Sequence, residues 1–220
     1  MLTLALDTAT AAVSVAVVEA EAETGLRVLA SRAGIEARRH AELLAPALAE
    51  VLAEAGVPPG RIDRIVVGVG PGPFTGLRVG LVSAHALSDA WSVPLVGVCS
   101  LDALAHRALL EGSGPDVLVL TDARRREVYL AAYRGGVRVA GPSVRAPAGL
   151  LAELGWSGRV VGEGARRYPE QFPLAGPPWL PEAGDLVGAL HAGAVSLPAR
   201  PLYLRCPDAA VPGEAKAVLR

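Results

Sequence analysis

Ile65-Val66-Val67-Gly68-Val69, an apolar run without alternation, leads directly into Gly-Pro-Gly-Pro-Phe-Thr-Gly-Leu-Arg-Val-Gly, residues Gly70–Gly80. An unbroken run of this kind reads as a central strand buried on both faces. Gly70, Gly72 and Gly76 then permit close approach of the backbone. Thr75 stands where it can cap a following helix, whose N-terminus could hold an anion. The string is neither of the common phosphate loops: it has no lysine, and two prolines occupy it. Its reading is therefore a stiff strand-to-helix turn in an α/β protein.

Downstream, a helix is expected over Gly76–Trp91, with a polar strip of only Arg78, His85 and Asp89. Leu95–Val98 reads as another buried strand and Leu101–Leu110 as another helix. Upstream, Leu2, Leu4 and Leu6 alternate with Thr3, Ala5 and Asp7, and Val13, Val15 and Val17 repeat the period of two. With Arg27–Ser31 these make an antiparallel meander. Leu43, Leu44, Ala47, Leu48, Val51 and Ala55 fall on one arc of a helix over His40–Ala55. Pro46 should kink that helix or detach its first turn.

The pattern restarts near residue 115. Strands are expected at Asp116–Thr121, Glu127–Tyr133 and Val137–Ala140, with helix at Ala148–Leu154, a short strand at Arg159–Val161 and a last helix at Glu182–Ala194. The restart implies two related lobes, 1–105 and a smaller 106–220. The chain has 220 residues, 51% hydrophobic and 20% charged, ample for a packed core. It carries 21 basic and 22 acidic side chains, which excludes a protein that grips nucleic acid by net charge alone. No apolar stretch reaches the length of a membrane span. Cys99 and Cys206 lie far apart without metal-ligand spacing, which fits a reducing, cytoplasmic setting.

LALDTAT, Leu4–Thr10, places Asp7, Thr8 and Thr10 at the end of a buried strand and in its turn. In two-lobed phosphotransferases such a turn holds a metal-bridged phosphate; the plainer reading is that Asp7 and Thr8 satisfy loop backbone groups. With Gly70, Gly72, Thr75 and Gly76 they form the candidate anion loop. His40, His85, His106 and His191 are scattered, and neither cysteine has the context of a nucleophile. Arg124, Arg125 and Arg126 form the one basic cluster of the sequence; it could contact an anion, and the plainer reading is a solvated turn between strands.

Taken in order, LALDTAT, RHAELLAPALAEVLAEAG (Arg39–Gly56), GVGPGPFTGLRVG (Gly68–Gly80), PLVGVCSLDALA (Pro94–Ala105), TDARRREVYLAAY (Thr121–Tyr133) and PLYLR (Pro201–Arg205) resemble the TsaB (YeaZ) family. Pro73 stands where that family usually has serine. The resemblance implies an α/β, two-lobed actin/Hsp70/sugar-kinase-like (ribonuclease H-like) fold with a reduced second lobe. It implies a scaffold subunit of the bacterial tRNA N6-threonylcarbamoyladenosine machinery, without chemistry of its own. The implied partners are a catalytic TsaD-like paralogue and a TsaE-like ATPase, with tRNA engaged only through the complex. It implies no resident cofactor or metal, and leaves room for a nucleotide at the complex interface and a homodimer of the isolated chain. The paralogue's metal-binding histidines align with Ser100 and Leu104, neither of which can replace an imidazole. The competing readings are a small kinase or ATPase of the same fold, favoured by Asp7 and the glycine loop, and a metallopeptidase.

The helices give an independent reason for a partner. Gly76–Trp91 is apolar around more of its circumference than one sheet can cover. The expected docking surface joins Ala45, Leu48, Ala49, Leu52 and Ala53 of the first helix to Arg78, Val82 and His85 of the second.

Overall fold

The computed structural model describes residues 1–21, 25–35, 39–112 and 114–205. The first sheet contains β1 (Leu2–Asp7), β2 (Ala12–Glu21), β3 (Gly25–Ile35), β4 (Arg64–Gly68) and β5 (Leu95–Val98) in the order β3-β2-β1-β4-β5. β1, β2 and β3 form the antiparallel meander, and β4 runs parallel to both β1 and β5. Successive side chains of a strand face opposite sides, and here both sides are apolar. Leu4, Leu6, Val15, Val17, Ile65 and Val67 pack under α1 (His40–Ala55) and α2 (Phe74–Trp91). Ala5, Ala16, Val18 and Val66 turn the other way, against α3 (Ser100–Leu110) and the C-terminal helix over Ala183–His191.

The second sheet contains β6 (Val117–Asp122), β7 (Val128–Arg134), β8 (Val137–Arg145) and β9 (Arg159–Val161), in the order β8-β7-β6-β9. That is the order of the first sheet without its fifth strand, with β9 again parallel to the opening strand. The two-lobed α/β fold read from the sequence is the one observed. α3 is shared between the lobes: Ala103 faces the first sheet, while Leu101, Leu104, Ala105 and Ala108 pack against Val117, Val119 and Ala131 of the second. The outer face of the second sheet is covered by the short helices α4 (Leu150–Glu153) and α5 (Glu163–Arg167) and by Phe172.

Several boundaries differ from the sequence expectation. α1 runs unbroken through Pro46, because the carbonyl that the proline leaves without a donor lies on the solvent side. α2 starts at Phe74 with Pro73 at its N-cap and no side-chain cap, so Thr75 lies inside the first turn and does not cap it. β8 extends to Arg145 through a register shift. α4 is shorter than expected, and α5 carries too few apolar positions to show as a period. The last helix, α6 (Ala183–His191), packs on the first sheet, and Leu197 bridges antiparallel to Gly97 beyond β5. A division at residue 105 therefore misses a return of the chain to the first lobe. Cys206 lies outside the described residues; Cys99 is buried and free.

Candidate functional site: two aspartate turns and a helical face

Asp7 ends β1 with 1% of its surface exposed. Its Oδ1 accepts the Ala9 N–H at 2.7 Å, whereas Oδ2 is buried without a hydrogen-bond partner. Burial pushes its pKa up to about 6, with the Ser100 hydroxyl, the Ala9 amide and the charge of His40 pulling it back. The Thr8 hydroxyl donates to the Gly76 carbonyl at 2.7 Å and accepts the Gly80 N–H at 3.0 Å. Thr10 Oγ1 accepts the Ala12 N–H at 3.2 Å, and its carbonyl meets His40 Nε2 at 2.9 Å.

The glycines of the following loop make this contact close. A Cβ on Gly72 would lie 1.9 Å from the Ala9 carbonyl oxygen, and one on Gly76 would lie 2.5 Å from that of Thr8. Thr8 and Ala9 thus make a close contact with Gly72, Gly76 and Gly80 at the start of α2, whereas Gly70 packs on Leu77 and Thr10 is held by Ala12 and His40. Thr75 stands apart and exposed. Ser100 faces Asp7 and Leu104 is fully buried in the core between the lobes. Among the described residues no three His, Cys, Asp or Glu side chains converge.

On the outer side of the first lobe, Ala45, Ala49 and Ala53 are exposed along α1, and Val82 on α2 is 67% exposed. Leu48 and Leu52 are half-buried and lean on the core. Arg78 and His85 have a second task. His85 Nε2 meets the Ala199 carbonyl at 2.9 Å, and Arg78 Nε donates to the Tyr203 hydroxyl at 3.2 Å. The Arg78 guanidinium also lies 3.6 Å from the Phe74 ring centroid, and Phe74 stacks on Tyr203 with centroids 5.2 Å apart. These residues hold the extended segment after Leu197 against α2. Tyr203, the one aromatic in the proline-rich tail, was the available sequence signal for this anchor.

The second aspartate turn comes after β6. Asp122 Oδ1 accepts the Arg124 N–H at 2.9 Å, and its Oδ2 pairs with Arg124 and Arg167 at 3.4 and 3.5 Å. Arg124, Arg125 and Arg126 have φ of 62°, 51° and 60°, three consecutive left-handed residues without a glycine among them. Behind them, Asp102 of α3 accepts the Tyr133 hydroxyl at 2.5 Å and Arg138 at 3.0 Å, a brace between the lobes that side-chain spacing in the sequence does not reveal.

The sequence profile of the tRNA N6-adenosine threonylcarbamoyltransferase (TsaD) family matches residues 28–174. The chain is 42% identical to an uncharacterised protein of Mycobacterium tuberculosis over 94% of this chain and 92% of the relative. It is 35% identical to the tRNA threonylcarbamoyladenosine biosynthesis protein TsaB of Haemophilus influenzae over 58% of this chain, spanning 52% of that protein. Its fold is similar to that of YeaZ from Pseudomonas aeruginosa, with a TM-score of 0.75, 31% identity, and coverage of 92% of this chain and 99% of the other.

Proposed function

The chain belongs to the TsaB/YeaZ family, and on that premise we propose that it serves tRNA threonylcarbamoyladenosine biosynthesis as a non-catalytic subunit that docks a TsaD-like paralogue. The observation that carries the docking is the exposed face of α1 and α2. Ala45, Ala49, Ala53 and Val82 present small and apolar groups to solvent on two neighbouring helices. Small side chains let a second helix pair approach closely, and pairs of helices pack on pairs. A paralogue of the same fold carries an equivalent pair, so the same face serves a homodimer when the paralogue is absent. Two features support a subunit without chemistry of its own. Ser100 and Leu104 stand where the catalytic paralogue has metal-binding histidines, and the Asp7 turn is closed by Gly72 and Gly76. A TsaE-like ATPase joins the assembled pair.

Co-purification with the organism's own TsaD-like protein tests this reading. The double variant Ala49→Arg, Val82→Arg should keep the wild-type fold and melting behaviour yet lose the partner, because an unpaired charge is costly to desolvate. Unchanged recovery of the partner by the folded variant would sink the assignment. ATP turnover by the isolated wild-type chain would favour the kinase or ATPase reading instead.

A further inference from the structure

The docking strip of α2 does not end at Arg78. At about 100° per residue, Phe74, Arg78, Val82 and His85 fall within an arc of about 80° on that helix, and all four are exposed. Phe74 forms one end of the strip, about 12 Å from Val82 at a rise of about 1.5 Å per residue. There it is 48% exposed and stacks on Tyr203, which is 45% exposed, while the Arg78 guanidinium lies over its ring. The chain has only two phenylalanines, and the other, Phe172, is buried in the core of the second lobe. One of the two is thus kept at the surface, in line with the docking residues.

The stacked pair borders a cleft of about 480 Å³ between the lobes, whose walls include Pro73, Phe74, Ala123, Tyr129, Tyr203 and Leu204. Two arginines at its border are already engaged, Arg124 with Asp122 and Arg205 with Glu127. With those cations paired, the cleft presents ring faces and aliphatic groups. Its surface suits an apolar side chain.

A stable protein–protein contact covers about 800 Å² and about 20–30 residues on each partner. Its energy is concentrated in a few aromatic and arginine anchors, whereas alanine is depleted there. Ala45, Ala49, Ala53 and Val82 let a partner come close, but they supply too little surface and no anchor. Phe74, Arg78 and Tyr203 supply both, and their stacking already orders them, so little side-chain entropy is lost when a partner covers them. We propose that the Phe74–Tyr203 pair is the anchor of the paralogue contact, and that the cleft beside it receives one large apolar side chain of the TsaD-like paralogue. This rests on the docking reading above and extends its surface from the two helices to the edge of the second lobe. A second copy of the chain fits less well. Two copies related by a two-fold axis appose the same face, and the large apolar residues that α1 and α2 expose are Phe74 and Val82. Phe74 is held in its own stack, so a second copy has no long apolar side chain on these helices to offer the cleft.

The test is calorimetric titration of the full chain with the organism's own TsaD-like paralogue. Phe74→Ala should weaken binding about thirtyfold or more, the mark of a hot spot. The factor should be the same at low and high salt, since an apolar contact is not screened. Tyr203→Phe keeps the ring and should bind within about twofold of wild type. The Leu202 N–H, which donates to the Val69 carbonyl at 2.9 Å, should stay protected from hydrogen exchange in both variants, showing that the tail keeps its place. Affinity lost only together with that protection would overturn a direct contact. Wild-type affinity in Phe74→Ala, with Ala49→Arg, Val82→Arg unable to bind, would overturn the anchor and leave the docking reading standing. The converse pair of results would support the anchor and overturn the helical face. A loss that vanishes at high salt would overturn the apolar occupant in favour of an anion. Weakened self-association, or loss of the ATPase from the assembled complex, with paralogue affinity unchanged would overturn it in favour of that other occupant.

Discussion

The turns after β1 and β6 both begin with an aspartate whose Oδ1 accepts the N–H two residues on, from Ala9 at 2.7 Å and from Arg124 at 2.9 Å. Both aspartates end the opening strand of a meander, and both strands neighbour a parallel strand that ends in glycine or leads into it. From that shared start the two regions diverge. The first turn is pressed against the glycine-rich start of α2, and its carboxyl is buried. The second turn has no such helix over it and is bordered by arginines and the C-terminal segment. One framework thus gives a close backbone contact in one lobe and an exposed, arginine-rich turn in the other. The difference is set by the helix that succeeds the parallel strand, 18 residues long after β4 and only 5 after β9.

The largest effect separating the two turns belongs to the seal. Gly72→Ala drives a Cβ into the Ala9 carbonyl, a backbone atom that cannot rotate away. Overpacking of a rigid site costs about 3 kcal/mol or more, so urea unfolding should show a marked loss, with the β1–β2 turn exchanging its amides faster. Arg125→Ala in the second turn removes an exposed side chain and should change stability by less than about 0.5 kcal/mol. Equal effects of the two substitutions would erase the distinction between a sealed and an open turn.

The carboxyl of the sealed turn should announce itself through pH. The Asp7 pKa rises from its ordinary 3.8 to about 6 through burial. Between those values the folded chain binds the proton that the unfolded chain has released. Stability therefore falls as pH rises from about 4 to about 6 and is flat above that. The full shift corresponds to about 3 kcal/mol. Asp185, also raised to about 6 by burial, adds in the same direction. Asp7→Asn keeps the acceptor for Ala9 and removes the buried charge, so at a pH of about 7.5 it should be about 1–3 kcal/mol more stable than wild type and should lose part of the acid-side slope. A destabilised variant with the slope intact would mean that the ionised carboxylate has a partner in the folded chain.

These contrasts explain which parts of the molecule the sequence makes legible. Alternation in Leu2–Asp7 and Val13–Val17, the run Ile65–Val69 and the 3.6-residue period of α1 are consequences of burial on known faces, and they yielded the elements of the first lobe, although β2 and β3 run several residues beyond the alternation. The restart near residue 115 was visible because the second meander repeats the same alternation. Local spacing carries no trace of contacts made across the chain. That Gly72, Gly76 and Gly80 press on a neighbouring turn depends on Thr8 and Ala9, far away in the chain. The return of α6 to the first sheet, the Asp102–Tyr133–Arg138 brace and the use of Arg78 and His85 to hold the tail are long-range in the same way. The arginine turn is exposed between β6 and β7 as read, but its backbone was not legible. Three arginines in a row read as a solvated loop, because nothing in their side chains favours left-handed backbone.

That backbone supplies the smallest and most specific contrast. Arg126 is exposed at φ 60°, the last of the three left-handed residues, and does not line the cleft. A non-glycine residue there costs about 1–2 kcal/mol, whereas glycine adopts the conformation freely and gives back up to about 1 kcal/mol through the greater entropy of the unfolded chain. Arg126→Gly should therefore stabilise the chain by about 0.5 kcal/mol, opposite in sign to Gly72→Ala in the first turn. The two signs together state what distinguishes the lobes: one turn needs glycine for space, and the other holds its shape in spite of lacking it. Differential scanning calorimetry with chemical denaturation would resolve the shift, which is about 1–2 °C for a chain of this length. A loss of stability of about 1 kcal/mol or more would show that the Arg126 side chain makes a contact that outweighs its backbone strain, and the second turn would then be a packed element like the first.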